Sequence, residues 1–449
     1  MDKKNTFLGL VFIAAGIGFM FWQSQQYEKQ RIEQLKQAET LQAPAGKSTT
    51  PADAALVAPN ATTSATDSKS SLSVSDLFEQ VEAVEVEAAI KPLSPESTIA
   101  LYNDYIEAVF TTRGGAIQTV SFLQTKSGER DDYVFNKGGL LPALSLSLNS
   151  ADGEIREFDL DYRIEQQSSD SVTFVLDGGE GLSIRRHYRI ASTGSVDEPY
   201  TIEHSTTFKN NSGSAKALST IYFNLGTARP ITEEMIGVNF LNVGYFDGED
   251  AEFIPIKKLT GGKGFLGIGA SNPKDVIAEA ARIEWSSVKN QFFASVLSSG
   301  TVANNVFVYP VEAPSDVINQ PGRLGISGSV GYELGTLTAG ESKSLDFQYF
   351  VGPKEFKRLQ AMGNEQDLVM QFGFLGFFSK LLLAFMYLIH SVVPSWGWSI
   401  VIMTICIKLL FWPLTAKASR SQKRMASIQG PMAELKEKHK DNPQKMQQE

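Results

Sequence analysis

One cysteine in 449 residues, Cys406, excludes disulfides within the chain and any metal site built from thiolates. Histidine is nearly as scarce. His187, His204, His390 and His439 stand far apart, without metal-ligand spacing, and most of them read as surface residues. The acidic pairs Asp131-Asp132 and Glu233-Glu234 are neighbours in sequence and read as solvated turns. The run "GGKGFLGIG" (Gly261–Gly269) lacks the Gly-Lys-Ser/Thr ending of a phosphate loop and lies among strands. It reads as a hairpin or crossover loop. No nucleophile–base constellation stands out, so the sequence points to a protein without catalytic residues, cofactor or metal.

What the chain does have is unevenly placed charge. Of the formal net charge of −9, residues 414–449 carry +4 and residues 1–4 carry +1, which leaves −14 between them. The acidic middle speaks against specific nucleic-acid recognition. Basic ends around an acidic middle suggest that the ends and the middle lie on opposite sides of a membrane. The first segment, "MDKKNTFLGLVFIAAGIGFMFWQSQQ", has the form of an apolar helix preceded by two lysines. A cleaved signal peptide is the rival reading, but no small-x-small cleavage site follows Trp22. Residues 1–23 are therefore expected to be an uncleaved anchor with a cytoplasmic N-terminus. Residues 24–96 are polar, rich in Ala, Thr, Ser and Pro, and are expected to form a largely disordered tether.

From residue 97 to 352 the hydrophobic period becomes two. "REFDLDYRIE" puts Phe158, Leu160, Tyr162 and Ile164 on one face; "ALSLSLNS" alternates Leu144, Leu146 and Leu148 with serines; "SLDFQYF" repeats the pattern with Leu345, Phe347 and Tyr349. Glycine- and asparagine-rich turns separate these runs, which predicts a large antiparallel β-sandwich. Residues 353–392 switch to helical spacing and contain an apolar segment, Phe372–His390, interrupted by Lys380. If this segment and the next, Trp396–Trp412, both spanned, the basic tail would end outside. Positive charge belongs inside, so the first is expected to lie at the interface and residues 395–413 to span. Residues 414–449 are expected to form a basic cytoplasmic helical hairpin, with Met425, Ile428, Met432 and Leu435 on its apolar stripe. The chain stops a few residues into that hairpin's second helix, as a fragment of a longer protein would.

The spanning segment raises one question of its own. Lys408 lies within "IVIMTICIKLLFWPLT", where a lysine at the centre of a helix costs about 2.5–3.5 kcal/mol on insertion scales. It could reach the cytoplasmic headgroups past Trp412, or something within the membrane could require the cation.

Four stretches carry a family resemblance: "TTRGGAIQTVSFL" (Thr111–Leu123), "WSSVKNQFFASVL" (Trp285–Leu297), "YFVGPKEF" (Tyr349–Phe356) and "IHSVVPSWGWSIVIMTICIKLLFWPLTAKASRSQKRM" (Ile389–Met425). With them the chain resembles the YidC/Oxa/Alb membrane protein insertases, in the Gram-negative form with a large periplasmic domain. The resemblance implies a mixed membrane protein: an N-terminal transmembrane helix, a mutarotase-like all-β supersandwich in the periplasm, then an α-helical membrane core. Only the first of five core helices would be present. It also implies a hydrophilic groove open to the cytoplasm and the lipid. Lys408 falls on the family's groove cation, often Arg, and Thr404, one turn earlier, falls on a polar groove position. The implied function is insertion and folding of inner-membrane proteins, alone or with the Sec translocon. Nascent integral membrane proteins, the ribosome and anionic lipids would be its other partners. The alternative is a membrane-anchored periplasmic carbohydrate-binding or mutarotase-like protein, although the mutarotases' catalytic His/Glu set is not recognisable here.

Overall fold

The computed structural model describes residues 71–72, 94–123, 130–158, 161–177, 181–192, 198–231, 235–261, 271–312 and 324–438. The anchor, most of the tether, His439, Glu233-Glu234 and nearly all of the glycine-rich run lie outside these residues. Two compact units appear, one ending at Phe372 and one beginning at Gly373.

The first unit is all-β around one extended core. A 14-stranded sheet is built on the neighbouring strands Ile221–Ala228, Leu324–Tyr332, Phe293–Glu312, Ser342–Pro353, Thr201–Asn210 and Leu182–Ile190. A four-stranded sheet, Thr98–Tyr102 through Arg130–Phe135, packs on it. Ring contacts such as Phe110 on Tyr188 and Phe122 on Phe293 join the two layers. Period-two strands of this kind bury one face and leave the other wet. Leu345, Phe347 and Tyr349 obey that rule and are buried.

Other runs depart from it. "REFDLDYRIE" is two strands, Ile155–Phe158 and Arg163–Gln167, and the break leaves Ile164 exposed while Phe158 and Tyr162 are buried. Around Leu146 the serines are buried too, Ser145 and Ser147 included. Strand Ile221–Ala228 is buried at every position, because layers cover both of its faces. Its register shifts between Asn224 and Thr227, and Gly226 in that bulge has φ 81°. A Cβ there would stand 2.6 Å from the Phe135 ring, so only glycine fits.

The histidines also divide. His204 is buried, stacked on Tyr188 at 4.1 Å, and burial with Arg186 nearby holds it well below the usual histidine range. Its Nδ1 lies 3.0 Å from the His187 carbonyl and its Nε2 2.7 Å from Thr206 Oγ1. This residue is an exception to the expected surface positions: an apolar strand position buries a neutral imidazole whose nitrogens both have partners.

"TTRGG" and "WSSVKNQFF" turn out to be structural anchors. Gly114 and Gly115 form a left-handed turn, φ 72° and 53°, and present their carbonyls inward. The buried Arg186 donates to the Gly114 carbonyl at 2.6 Å and to the Leu144 carbonyl, and the Tyr188 hydroxyl donates to the Gly115 carbonyl at 2.8 Å. At the other end of the sheet the chain continues past Gly352 and folds back. A second cluster of Phe246, Trp285, Val296, Phe350, Leu359 and Val369 binds residues 353–370 to the strands. Trp285 Nε1 donates to the Asn364 carbonyl at 2.8 Å, and the buried Lys289 donates to the Val369 carbonyl. The segment after the last strand thus belongs to the sandwich.

One buried and one half-buried amine, Lys289 and Lys354, give the unit a pH signature. Burial pushes Lys354 down to about 8, and burial reinforced by Lys354 holds Lys289 well below the usual lysine range. Depressed amine pKa values mean that the unfolded chain binds protons the fold refuses, so stability rises with pH from about 8 toward 10.5. Burial raises the pKa of Tyr133, Tyr188, Tyr332 and Tyr349, so the fold keeps protons the unfolded chain loses, and stability falls above pH 10. Urea midpoints of residues 94–372 should therefore rise between about pH 7.5 and 9.5 and then drop. Lys354→Met should flatten the rise; a flat wild-type profile would contradict the burial of these amines.

In the second unit, helix Gly376–Val392 and helix Trp396–Lys438 are joined by a tight connection. Ser395 stands just before the second helix, whose first bond runs from Ser399 N to the Ser395 carbonyl at 2.9 Å. Trp396 stacks on His390 with ring centroids 3.8 Å apart, and Ser399 is wholly buried where the helices meet. Pro413 lies within the second helix, which continues through it although one backbone donor is missing.

Candidate functional site

Helix Trp396–Lys438 carries a 33-residue stretch, Trp396–Ile428, that is the one described segment long and apolar enough to cross a membrane. Its apolar side chains are outward: Leu409, Leu410, Trp412 and Leu414 are each more than 60% exposed. That pattern inverts a soluble protein's and suits a hydrocarbon solvent. Cys406 and Ile407 are half-buried, whereas Thr404 and Lys408 are both exposed. Four residues apart, they lie one above the other on a single face.

The Thr404 hydroxyl donates to the Ile400 carbonyl at 2.8 Å. Its donor is thus spent on its own helix, and what it can offer a passing chain is an acceptor oxygen. Lys408 pairs with no carboxylate among the described residues. The face therefore offers one cation and one hydroxyl acceptor within an otherwise apolar surface. The described residues contain no group of three His, Cys, Asp or Glu side chains that could hold a metal ion. Two structural anchors of the sandwich were not read from the sequence, the buried Arg186 and the Trp285–Lys289 contacts. The one signal available was of the Lys408 kind: a basic residue at a position that the strand pattern buries.

Residues 98–385 match the sequence family described as the YidC periplasmic domain, and residues 388–449 match the 60Kd inner membrane protein family. The chain belongs to the YidC-type membrane protein insertases. Its sandwich is this family's periplasmic domain, and the apolar helix that follows lies within the matched inner-membrane segment. The YidC insertase of Chlorobaculum tepidum is 25% identical over 463 aligned positions, covering 100% of this chain and 71% of that protein. That of Cupriavidus taiwanensis is 26% identical over 78% of this chain and 60% of its own length. That of Ralstonia nicotianae is 40% identical over 116 residues, 26% of this chain and 21% of that protein. The chain therefore spans between about a fifth and seven-tenths of the relatives it matches.

Among solved structures, a galactose mutarotase related enzyme from Lactobacillus acidophilus is similar over 57% of this chain and 97% of its own, with 11% identity and a TM-score of 0.36. A putative aldose 1-epimerase from Escherichia coli K12 gives 12% identity and the same TM-score. A likeness at this level says nothing about activity.

Proposed function

We propose that the protein to which this chain belongs inserts nascent integral membrane proteins, and that Thr404 and Lys408 form part of the wall of the hydrophilic groove it uses. The observation carrying this reading is the exposed Thr404–Lys408 row on an otherwise apolar, outward-facing helix. A polar or acidic flank of an entering segment would be solvated there instead of by hydrocarbon, which lowers the cost of moving it across. No covalent step is needed, and the function is a chaperone's, not an enzyme's. The topology proposed is an N-terminus in the cytoplasm, the sandwich in the periplasm, and residues 395–413 crossing the membrane. Helix Gly376–Val392, at 17 residues, reaches about 25 Å against a hydrocarbon thickness of about 30 Å, which suits an interfacial position. The basic residues beyond Lys417 would then meet anionic headgroups, ribosomes or emerging substrate, and the Sec translocon would act as a partner in the membrane.

The charge of Lys408 tests the reading. In the full-length protein, Lys408→Arg should be nearly silent, because the cation remains. Lys408→Glu should lower insertion of a substrate with an acidic translocated tail about tenfold more than that of the same substrate with a neutral tail, a difference of about 1.4 kcal/mol. Insertion efficiency, normalised to insertase level, measures this. Equal losses for both tails would leave Lys408 with nothing but a headgroup-anchoring role.

A further inference from the structure

The outward face of the large sheet carries a groove that the insertase reading leaves unused. Its floor is set by strand register. His187 is opposite Ser205 and Ser205 opposite Asp346; in the next row Arg189 is opposite Glu203, Glu203 opposite Gln348 and Gln348 opposite Ser298. Side chains two residues apart share a face, so both rows present polar groups outward. One wall is the turn Gly363–Glu365, with φ 77°, 50° and 55° at its three residues, which the Trp285 indole fixes through the Asn364 carbonyl. The enclosed volume is about 490 Å³, within the size range of small-ligand sites.

The lining is rich in acceptors. Its only acidic or basic side chains other than histidine are Glu203 and Asp346. Glu203 is already paired with Arg189 at 2.7 Å, whereas Asp346 has no ion-pair partner among the described residues. His187 is held below its usual range by burial, then by Arg185 and Arg189, and is neutral at neutral pH. Its Nδ1 is 2.9 Å from Thr173 Oγ1. From the wall, Gln366 lines the cavity at 2% exposure, and its Oε1 has no hydrogen-bond partner among the described residues. A buried amide oxygen without a donor is costly and uncommon. The exposed Asp346 carboxylate and the buried, unpartnered Gln366 amide oxygen thus ask for donors and for positive charge. A metal ion is a poor fit, since no three ligating side chains come together among the described residues. A neutral sugar would want an exposed aromatic platform, and Phe347, the one aromatic ring of the lining apart from the histidines, is 4% exposed.

We propose that this groove binds a cationic hydrogen-bond donor, the ammonium or guanidinium group of a basic side chain or polyamine, between Asp346 and Gln366. The inference stands independently of the groove role given to Lys408. The test is calorimetric titration of the whole chain in detergent micelles with a capped Gly-Arg-Gly peptide, spermidine, a capped Gly-Glu-Gly peptide and glucose. The two cations should bind saturably, and the acidic peptide and glucose should not. Asp346→Asn and Gln366→Met should each weaken cation binding about tenfold. The first is isosteric on an exposed residue and the second removes an unpaired buried acceptor, so both variants should melt at or above the wild-type temperature. Tighter binding of the peptide than of spermidine would assign the cation to a polypeptide, and the reverse to a free polyamine; both are the proposed chemistry. Preference for glucose, absence of saturable binding, or a cation affinity unchanged from wild type in either variant would overturn the proposal.

Discussion

Arg186→Ala should destabilise the sandwich by about 3–5 kcal/mol, a loss of roughly 10 °C in melting temperature for a domain of this size. The guanidinium is wholly buried and donates to the carbonyls of Gly114 and Leu144, with Thr206 Oγ1 at 3.4 Å and His204 Nε2 at 3.3 Å completing its surroundings. Truncation leaves two carbonyls without donors and a cavity beside Tyr188 and Phe223, whose rings lie 5.6 and 6.0 Å from the cation. Arg186→Lys should recover only part of the loss, because one ammonium cannot reproduce the planar fork. The neighbouring residue is the control. Arg185 points outward, pairs with Glu165 at 2.8 Å and is half exposed, so Arg185→Ala should change stability by under about 0.5 kcal/mol. Thermal and urea unfolding of residues 94–372 measures both. Equal effects at 185 and 186 would show that the buried cation is not what joins the two sheets.

Trp285→Ala should have a comparable effect and a second, local one. The indole is 1% exposed, stacks on Phe246 at 5.7 Å and holds the Gly363–Glu365 turn through its N–H. Losing a buried tryptophan costs about 3–5 kcal/mol. Because the same side chain ties residues 353–370 to the sheet, that segment should also become cleavable by protease before the strands unfold. Trp285→Phe separates the two contributions. Stacking survives, about 1 kcal/mol is lost with the hydrogen bond, and cleavage should still increase within 362–371. Unchanged protection in both variants would mean that Leu359 and Val369 alone hold the segment.

The anchoring of residues 353–370 decides where the sandwich can be cut. A sandwich cut off at Gly352 would leave Phe350 and Phe246 without Leu359 and Val369, and Lys289 without the Val369 carbonyl. Its aggregation or poor yield would follow from that cut and would say nothing about the remaining strands. In the whole chain the same contacts hold this segment to the strands as far as Val369.

Periodicity and apolar run length sufficed for the broad plan: period-two runs for a sandwich, and a long apolar run for the helix that follows it. These signals are local, since each depends on which face of one element meets water. The Thr404–Lys408 row was legible for the same reason, as i and i+4 on a helix share a face whatever the partners are. What the tertiary structure decided is non-local. Arg186 and Arg185 are adjacent residues of one type, and only the covering sheet makes one a core cation and the other a surface ion pair. Strand Ile221–Ala228 loses its alternation because layers lie on both sides, and Lys289 is buried because a segment 80 residues later folds over it. The groove of Asp346 and Gln366 likewise joins strands more than 140 residues apart to a returning turn. Which acceptor is left without a donor depends on that chain path, and no local pattern encodes it.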